Sequence, residues 1–101
     1  RACELMLGHA DEPLSILEVC SRLGTSRRKL NYCFQDVLGT TPIKYLRSLR
    51  LNSVRRALRQ AAPGVTIQDI ASHWGFWHLS QFAQDYRRLF GELPSDTLHK
   101  R

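Results

Sequence analysis

The sequence contains one helical pattern twice, and this internal repeat restricts the possible folds more than any other feature. Ser15 and Glu18 stand in the S-x-x-E arrangement of a helix capping box, and Thr66 and Asp69 repeat it with Asp in the last place. When the two segments are aligned, with one extra residue in the second copy, the later apolar, glycine and proline positions coincide. The matching pairs are Val19 and Ile70, Cys20 and Ala71, Leu23 and Trp74, Gly24 and Gly75, Leu30 and Phe82, Phe34 and Tyr86, Leu38 and Phe90, Gly39 and Gly91, and Pro42 and Pro94. The chain therefore holds two copies of one structural unit.

Each copy has the periodicity of two short helices separated by a glycine. In the first copy the apolar residues follow helical spacing, so that they share one face and are expected to be buried. They are Ile16, Val19, Cys20 and Leu23, followed by Leu30, Cys33, Phe34, Val37 and Leu38. Gly24 and Gly75 supply the positive φ that a tight turn between helices needs. A helix, a short glycine turn and a second helix form the helix-turn-helix pattern.

The remaining elements are also helical, and the predicted fold class is all-α with about seven helices. A first helix is expected over residues 2–9, and Pro94 opens a short last one. We predict a first helix-turn-helix subdomain over 1–41, a linker helix over 42–60 and a second subdomain over 61–101. A linker helix of that length spans about 28 Å at about 1.5 Å per residue. This is close to the roughly 34 Å between major-groove faces one turn apart, so two units in tandem are expected to read adjacent major-groove segments.

Composition excludes several classes of protein. A chain of 101 residues forms one domain or part of one, and no apolar run approaches the roughly 20 residues that a membrane span needs. The chain begins with Arg1, without a signal segment, and we expect it to be a piece of a longer cytoplasmic protein. Three cysteines without a C-x-x-C pair favour neither a disulfide framework nor a zinc site. Cys20 and Cys33 are expected to be small buried residues.

The charge distribution indicates a nucleic-acid partner. Residues 26–60 hold nine basic residues and one acidic residue, whereas residues 1–25 hold an acidic excess and residues 61–101 are balanced. A basic stretch on a compact domain is the electrostatic footprint of a nucleic-acid-binding protein. The same charge would also suit a solvated face, so charge alone does not decide the partner.

An aromatic cluster lies at residues 74–82. Its alignment with the first copy predicts that Trp74, Phe76 and Phe82 pack in a core. Trp77 and His78 fall where the second copy has its extra residue. His78 is a poor helix cap, and Trp77 could pack on Phe82 as a hydrophobic staple. For Trp77 and His78 the sequence leaves a structural role and a DNA contact equally open, and His78 has no partner at metal-ligand spacing.

The second helix of a helix-turn-helix unit enters the major groove, so the outward faces of these helices are the candidate DNA-reading surfaces. Arg, Asn and Gln can bond base edges, and basic and hydroxyl groups suit phosphates. The base-reading candidates are Arg27, Arg28, Asn31, Tyr32 and Gln35 in the first copy, and His78, Leu79, Ser80, Gln81 and Gln84 in the second. The phosphate-binding candidates are Thr25, Lys29, Lys44, Trp77, Arg87 and Arg88. The first helix is the more charged of the two and is expected to contribute more affinity.

At residues 13–98 the sequence resembles the AraC/XylS family of bacterial transcription regulators. The family pattern I-x-x-I-A-x-x-x-G-F, then F-x-x-x-[FY]-[KR]-x-x-[FY]-G-x-x-P, appears here as Ile67, Ile70, Ala71, Gly75, Phe76, Phe82, Tyr86, Arg87, Phe90, Gly91 and Pro94. The first copy fits through Leu30, Phe34, Gly39, Pro42, Tyr45, Leu46, Arg50 and Leu51. The sequence departs from the family at His78, where Asp, Ser or Asn is usual, and at Cys20 and Val54, where Ala is usual.

The resemblance implies a C-terminal DNA-binding domain that uses no cofactor and binds double-stranded DNA. It also implies an N-terminal effector or dimerisation domain outside this chain, and activation through contact with RNA polymerase. The alternatives are an RNA-binding module, a pure protein-interaction domain and an enzyme. RNA readers mostly use aromatic residues on sheets or loops, and no sheet is expected. No nucleophile–base pair or metal-ligand spacing favours an enzyme.

Overall fold

The structure, a computed structural model, describes residue 5 and residues 15–101. That part of the chain contains six helices and no strand: α1 Ile16–Leu23, α2 Arg27–Leu38, α3 Pro42–Arg59, α4 Ile67–His73, α5 Leu79–Phe90 and α6 Pro94–His99. The predicted all-α class is confirmed, and the predicted count of about seven helices is close. The helix expected over residues 2–9 lies outside the described residues apart from Leu5, which is helical.

The chain divides into two compact units that adjoin between Arg50 and Leu51, within α3. Unit 1 contains α1 and α2, and unit 2 contains α4, α5 and α6. Each unit therefore holds one helix, one glycine turn and one longer helix, as the repeat predicts. The subdomain limits predicted at 41 and 61 stay a prediction.

Both predicted capping boxes are present at the starts of α1 and α4. The Ser15 hydroxyl accepts from the Glu18 amide at 3.1 Å, and the Glu18 carboxylate accepts from the Ser15 amide at 3.3 Å. Thr66 and Asp69 form the same pair of bonds at 3.1 and 3.3 Å. These bonds satisfy amide groups that have no partner in the first turn of a helix. The helices therefore begin at the residues that the S-x-x-E pattern indicates.

The turns after α1 and α4 have the backbone conformation that only glycine adopts without strain. Gly24 has a φ of 65° and Gly75 a φ of 86°, values at which a side chain would crowd the backbone. The chain can then reverse within a few residues, so that the second helix of each unit packs on the first. The glycine turns predicted from the repeat are confirmed.

The core of unit 1 is smaller than the apolar pattern predicts. Its buried residues are Val19, Cys20, Leu30, Phe34 and Leu46, with Leu5, Ile16, Leu23, Tyr45 and Leu49 packed against them. The prediction that Cys33, Val37 and Leu38 are buried is wrong, because Cys33 is exposed, Val37 is 77% exposed and Leu38 is 47% exposed. Val37 and Leu38 lie beyond Phe34, the last buried residue of the 12-residue α2, and α1 has only 8 residues to cover this helix. Cys33 lies to one side of the face defined by Leu30 and Phe34, because a helix turns about 100° per residue.

Aromatic side chains dominate the core of unit 2, as predicted. Trp74, Phe76 and Phe82 are all buried, and Tyr86 is completely buried. The rings form a continuous series, with centroids 5.1 Å apart for Phe76 and Phe82 and 5.9 Å apart for Phe82 and Tyr86. Phe90 continues the series at 4.6 Å from Tyr86. The turn residue Phe76 thus fills the space beside α5, and the tight aromatic grouping serves packing.

Trp77 is the exception within this cluster, and the hydrophobic staple considered for it is wrong. Its side chain is 75% exposed, whereas Phe82 is 1% exposed. A staple requires the residue before the cap to cover the fourth residue of the helix. Trp77 instead presents most of its ring to solvent. Of the two roles that the sequence left open for Trp77, contact with DNA is compatible with this exposure.

A chain of hydrogen bonds attaches α6 to α5 inside unit 2. The Thr97 hydroxyl donates to the Glu92 carboxylate, so the buried Tyr86 hydroxyl, 2.6 Å from Thr97, donates to Thr97. The Lys100 ammonium binds the other carboxylate oxygen of Glu92 at 2.9 Å. Burial raises the pKa of Tyr86, while the Thr97 hydroxyl and Lys100 lower the pKa of Glu92. The buried Tyr86 hydroxyl therefore has a hydrogen-bond partner, and the series of hydrogen bonds that it begins ends at the surface ion pair between Glu92 and Lys100.

The two tryptophans should differ sharply in their effect on stability. We expect Trp74→Ala to lower the free energy of unfolding by about 3–5 kcal/mol, because a buried ring is replaced by a cavity. We expect Trp77→Ala, the matched control on an exposed ring, to stay within about 0.5 kcal/mol of the parent. Urea unfolding followed by circular dichroism measures both, and equal midpoints for Trp74→Ala and the parent would disprove the core assignment.

Thr97→Val should destabilise unit 2 by about 1–3 kcal/mol, because the buried Tyr86 hydroxyl loses its acceptor. Thr97→Ser keeps the hydroxyl and is the control.

The stability of unit 2 should also depend on pH through Glu92. Because the folded-state pKa of Glu92 is lowered, the stabilisation by its carboxylate is present above the unfolded-state pKa and is lost as pH falls through the folded-state pKa. The parent should therefore lose more stability than Thr97→Val on acidification in urea titrations. Parallel pH profiles for the two proteins would contradict this.

Candidate nucleic-acid interface

Buried residues fix the orientation of α2 and so decide which side chains face outward. Leu30 and Phe34, one turn apart, are buried in the core of unit 1. The Ser26 hydroxyl accepts from the Lys29 amide at 3.2 Å and holds the start of the helix. The opposite face carries the predicted base-reading residues, all of which are exposed: Arg27, Arg28, Asn31, Tyr32 and Gln35. The structure therefore brings this predicted group together on one helix face.

The polar side chains of this face are not used inside the protein. Within the described part of the chain, none of the five makes a hydrogen bond, ion pair or ring contact with another residue. Arg28, Asn31, Tyr32 and Gln35 line one open hollow of about 500 Å³ on the surface of unit 1. Tyr32 is 77% exposed, although a tyrosine ring would gain from burial. Hydrogen-bonding groups arranged in this way are available to an external ligand.

The second candidate face lies on α5 and is built differently. Phe82 and Tyr86 are buried, so the first turn of the helix points its other residues outward. His78 begins the helix without a side-chain hydrogen bond to the backbone, as expected for a poor cap. The exposed residues of this face are His78, Leu79, Ser80, Gln81 and Gln84. The predicted second group is thus also gathered on one face, with Leu79 40% exposed.

One carboxylate engages part of this second face. The Gln81 side-chain amide donates to Asp85 at 3.0 Å, and Arg88 lies 3.6 Å from the same oxygen atom. The repeat alignment did not identify Asp85, although its position four residues after Gln81 is a helix-pair spacing that could have done so. The polar groups of α5 are therefore less free than those of α2.

The phosphate candidates border these faces. Lys29, Lys44, Trp77, Arg87 and Arg88 are exposed, and Thr25, in the turn before α2, is half-buried. Lys44 lies in the first turn of α3, where the Thr41 hydroxyl accepts from the Lys44 amide at 3.2 Å. Sequence reasoning missed Thr41, although a Thr directly before Pro42 is a recognisable helix-start signal. A helix start beside a lysine favours an anion.

Other kinds of site lack support in the described residues. Among them, no three His, Cys, Asp or Glu side chains come together as a metal ion would require. The same residues include no helix with the length and apolar character needed to cross a membrane.

A glycine turn between two helices, with polar residues on the outward face of the second helix, defines the helix-turn-helix class of DNA-binding domains. A family model described as a helix-turn-helix domain matches residues 19–100. A probable AraC family transcriptional regulator from Rhodopseudomonas palustris is 31% identical, with a TM-score of 0.83 over 98% of this chain and 92% of that chain. The chain belongs to the AraC/XylS family, as a helix-turn-helix DNA-binding domain of a transcription regulator.

Two further relatives are regulators longer than this chain. The chain is 40% identical over 100 residues to the "Probable thc operon regulatory protein" of Rhodococcus erythropolis, covering 96% of this chain and 30% of the relative. It is 46% identical over 76 residues to the "XylDLEGF operon transcriptional activator" of Pseudomonas putida, covering 74% of this chain and 24% of the relative. The chain thus spans less than a third of either relative. The fold class and the family resemblance predicted from sequence are confirmed.

Substitutions on α2 should separate base reading from phosphate binding. We expect Arg28→Ala and Asn31→Ala each to weaken binding to the preferred site by about 1–3 kcal/mol and to relax preference at one position. Lys29→Ala, on the same helix, should weaken binding to all sequences alike. Selection from a random duplex library, followed by affinity measurement, tests this. An unchanged preferred sequence for Arg28→Ala would show that Arg28 reads no base.

Proposed function

We propose that this chain binds double-stranded DNA in a sequence-specific manner through the exposed faces of α2 and α5. The observation that carries the proposal is the outward face of α2, whose five polar side chains have no partner in the described part of the protein. Two buried residues and a capping bond fix the orientation of the helix and so the backbone positions from which these side chains extend. Such a surface is what a recognition helix needs, because flexible side chains on a flexible helix would not discriminate between bases.

The residue types on α2 suit base edges. Arginine can donate two hydrogen bonds to guanine O6 and N7, and Asn or Gln can pair with adenine N6 and N7. Arg27 and Arg28 lie at the helix start, the end of a recognition helix that reaches the bases. Lys29, Lys44 and Thr25 border them and would hold the phosphate backbone. Base reading and backbone binding are thus proposed for neighbouring parts of unit 1.

The two units are proposed to contribute unequally. Arg27 and Arg28 on the α2 face have no partner among residues 15–101, whereas on α5 Gln81 and Arg88 are engaged by Asp85. Electrostatic attraction to phosphates supplies much of the affinity of such domains. Unit 1 should therefore provide most of the binding energy, and unit 2 should add a second motif. Because the units are tandem repeats in one chain, the site they read is asymmetric.

The whole protein is proposed to be a transcription activator. The relative from Pseudomonas putida is named as an operon transcriptional activator, which supports this role. Since the chain spans less than a third of the relatives from Rhodococcus erythropolis and Pseudomonas putida described above, an N-terminal effector or dimerisation domain is proposed to accompany it. Contact with RNA polymerase would convert DNA binding into activation, and the site of action would be the bacterial cytoplasm. We propose a binding role without a reaction or cofactor.

A salt titration with duplex DNA tests the proposal. If about six phosphates are neutralised, the logarithm of the binding constant should fall against the logarithm of salt concentration with a slope near about −5. Lys29→Ala and Lys44→Ala should each reduce the magnitude of that slope by about 1. Fluorescence anisotropy with a labelled duplex measures both. A slope near zero, or no binding at low salt, would overturn the proposal.

A further inference from the structure

The side chain of Asp85 holds one amide of the α5 face in place. Gln81 Nε2 lies 3.0 Å from Asp85 Oδ1, and the two residues are one helical turn apart. Only 13% of the Asp85 side chain is exposed, and Arg88 Nη1 lies 3.6 Å from the same carboxylate oxygen. Asp85 therefore lies between two residues of the DNA-facing surface while being largely covered itself.

The chemistry of this contact decides which way the Gln81 amide faces. A glutamine amide has a donor end and an acceptor end of nearly the same shape, so an isolated side chain can present either. An ionised carboxylate only accepts hydrogen bonds. The NH₂ group must therefore face Asp85, which leaves the Gln81 carbonyl oxygen and the second N–H directed away from it. A flipped amide would place two oxygen atoms against each other.

We infer that Asp85 is a positioning residue that makes Gln81 specific for adenine over guanine. Adenine offers a donor at N6 beside an acceptor at N7 in the major groove, which the Gln81 carbonyl and remaining N–H can match. Guanine offers two acceptors, O6 and N7, and O6 would meet the Gln81 carbonyl oxygen. Gln81 lies in the first turn of α5, the part of a recognition helix that reaches base edges. The inference rests on the proposed DNA binding by α5.

The contact with Arg88 makes the arrangement compatible with DNA. A carboxylate on a DNA-facing helix would repel phosphates, and this repulsion acts against affinity. The guanidinium of Arg88, 76% exposed, lies beside Asp85 and offsets its charge. Removing the charge of Asp85 should therefore strengthen binding to all sequences while weakening the choice of base. A residue that served only folding would produce neither change.

Selection from a random duplex library with the 101-residue chain tests the inference. Gln81→Ala first identifies the position that Gln81 reads, as the position whose preference disappears. At that position the parent should favour adenine over guanine by roughly 5- to 100-fold. In Asp85→Asn, whose amide can pair with either end of Gln81, that ratio should fall to about 2-fold or less, and in Asp85→Glu it should be partly restored. Asp36→Asn, which makes the same change of charge on α2, should leave the ratio at this position as it is in the parent.

A measurement on the free protein keeps the inference testable if Asp85→Asn unfolds. In nuclear Overhauser spectra of the free parent, the side-chain amide protons of Gln81 should show contacts with the methylene protons of Asp85, and Asp85→Glu should retain contacts between the two side chains. Failure of the parent to select any sequence would overturn the proposed function and the inference together. Specific binding with an adenine preference that survives in Asp85→Asn, or no Gln81-dependent position at all, would overturn the inference alone. A Gln81 amide without contacts to Asp85 in the free parent would do the same.

Discussion

Each unit depends on two buried residues, one turn apart, on its second helix. Leu30 and Phe34 anchor α2, and Phe82 and Tyr86 anchor α5. Because a helix turns about 100° per residue, burying positions i and i+4 sets its rotation and so selects its outward face. Arg27, Arg28 and Asn31 on α2 are exposed for this reason. The hydrophobic core and the candidate DNA-reading surface are thus two consequences of one packing arrangement.

Equivalent positions in the two units form an anchoring contact, but the chemistry of the contact differs between them. In unit 1 the Phe34 ring packs edge-on against Tyr45, with centroids 5.7 Å apart. The repeat aligns Phe34 with Tyr86 and Tyr45 with Thr97, which in unit 2 form a hydrogen bond of 2.6 Å. A buried hydroxyl requires a partner. The Thr97 hydroxyl accepts the hydrogen bond of Tyr86 and donates its own hydrogen to Glu92. An aromatic contact and a polar chain therefore stand at equivalent places in the two copies.

Periodicity and local spacing predict the features of this fold that depend on neighbouring residues. The capping boxes, the glycine turns and the burial of Trp74 follow from such patterns, because each depends on residues within about one helical turn or on the repeat itself. Val37 was mispredicted since periodicity identifies a face but not the length of the helix that covers it. For Trp77 the sequence leaves two roles open, because a staple depends on the direction of its ring. Both exposed faces of the candidate site could be predicted from the sequence. The hydrogen bond between Gln81 and Asp85 could not, because it depends on the rotamers of both side chains.

The two units therefore present their exposed polar groups in two different ways. On α2, Arg27 and Arg28 have no partner among the described residues. Under the proposed function they can adapt to guanine or phosphate, at a cost in side-chain entropy on binding. On α5, Asp85 holds Gln81 before any ligand arrives, so less freedom is lost when a base is bound. The same carboxylate reduces the positive charge of that face, which lowers its general attraction to DNA. Under the proposed function, the second unit would gain discrimination at the expense of affinity, and the basic first unit in the same chain would supply the affinity that it lacks.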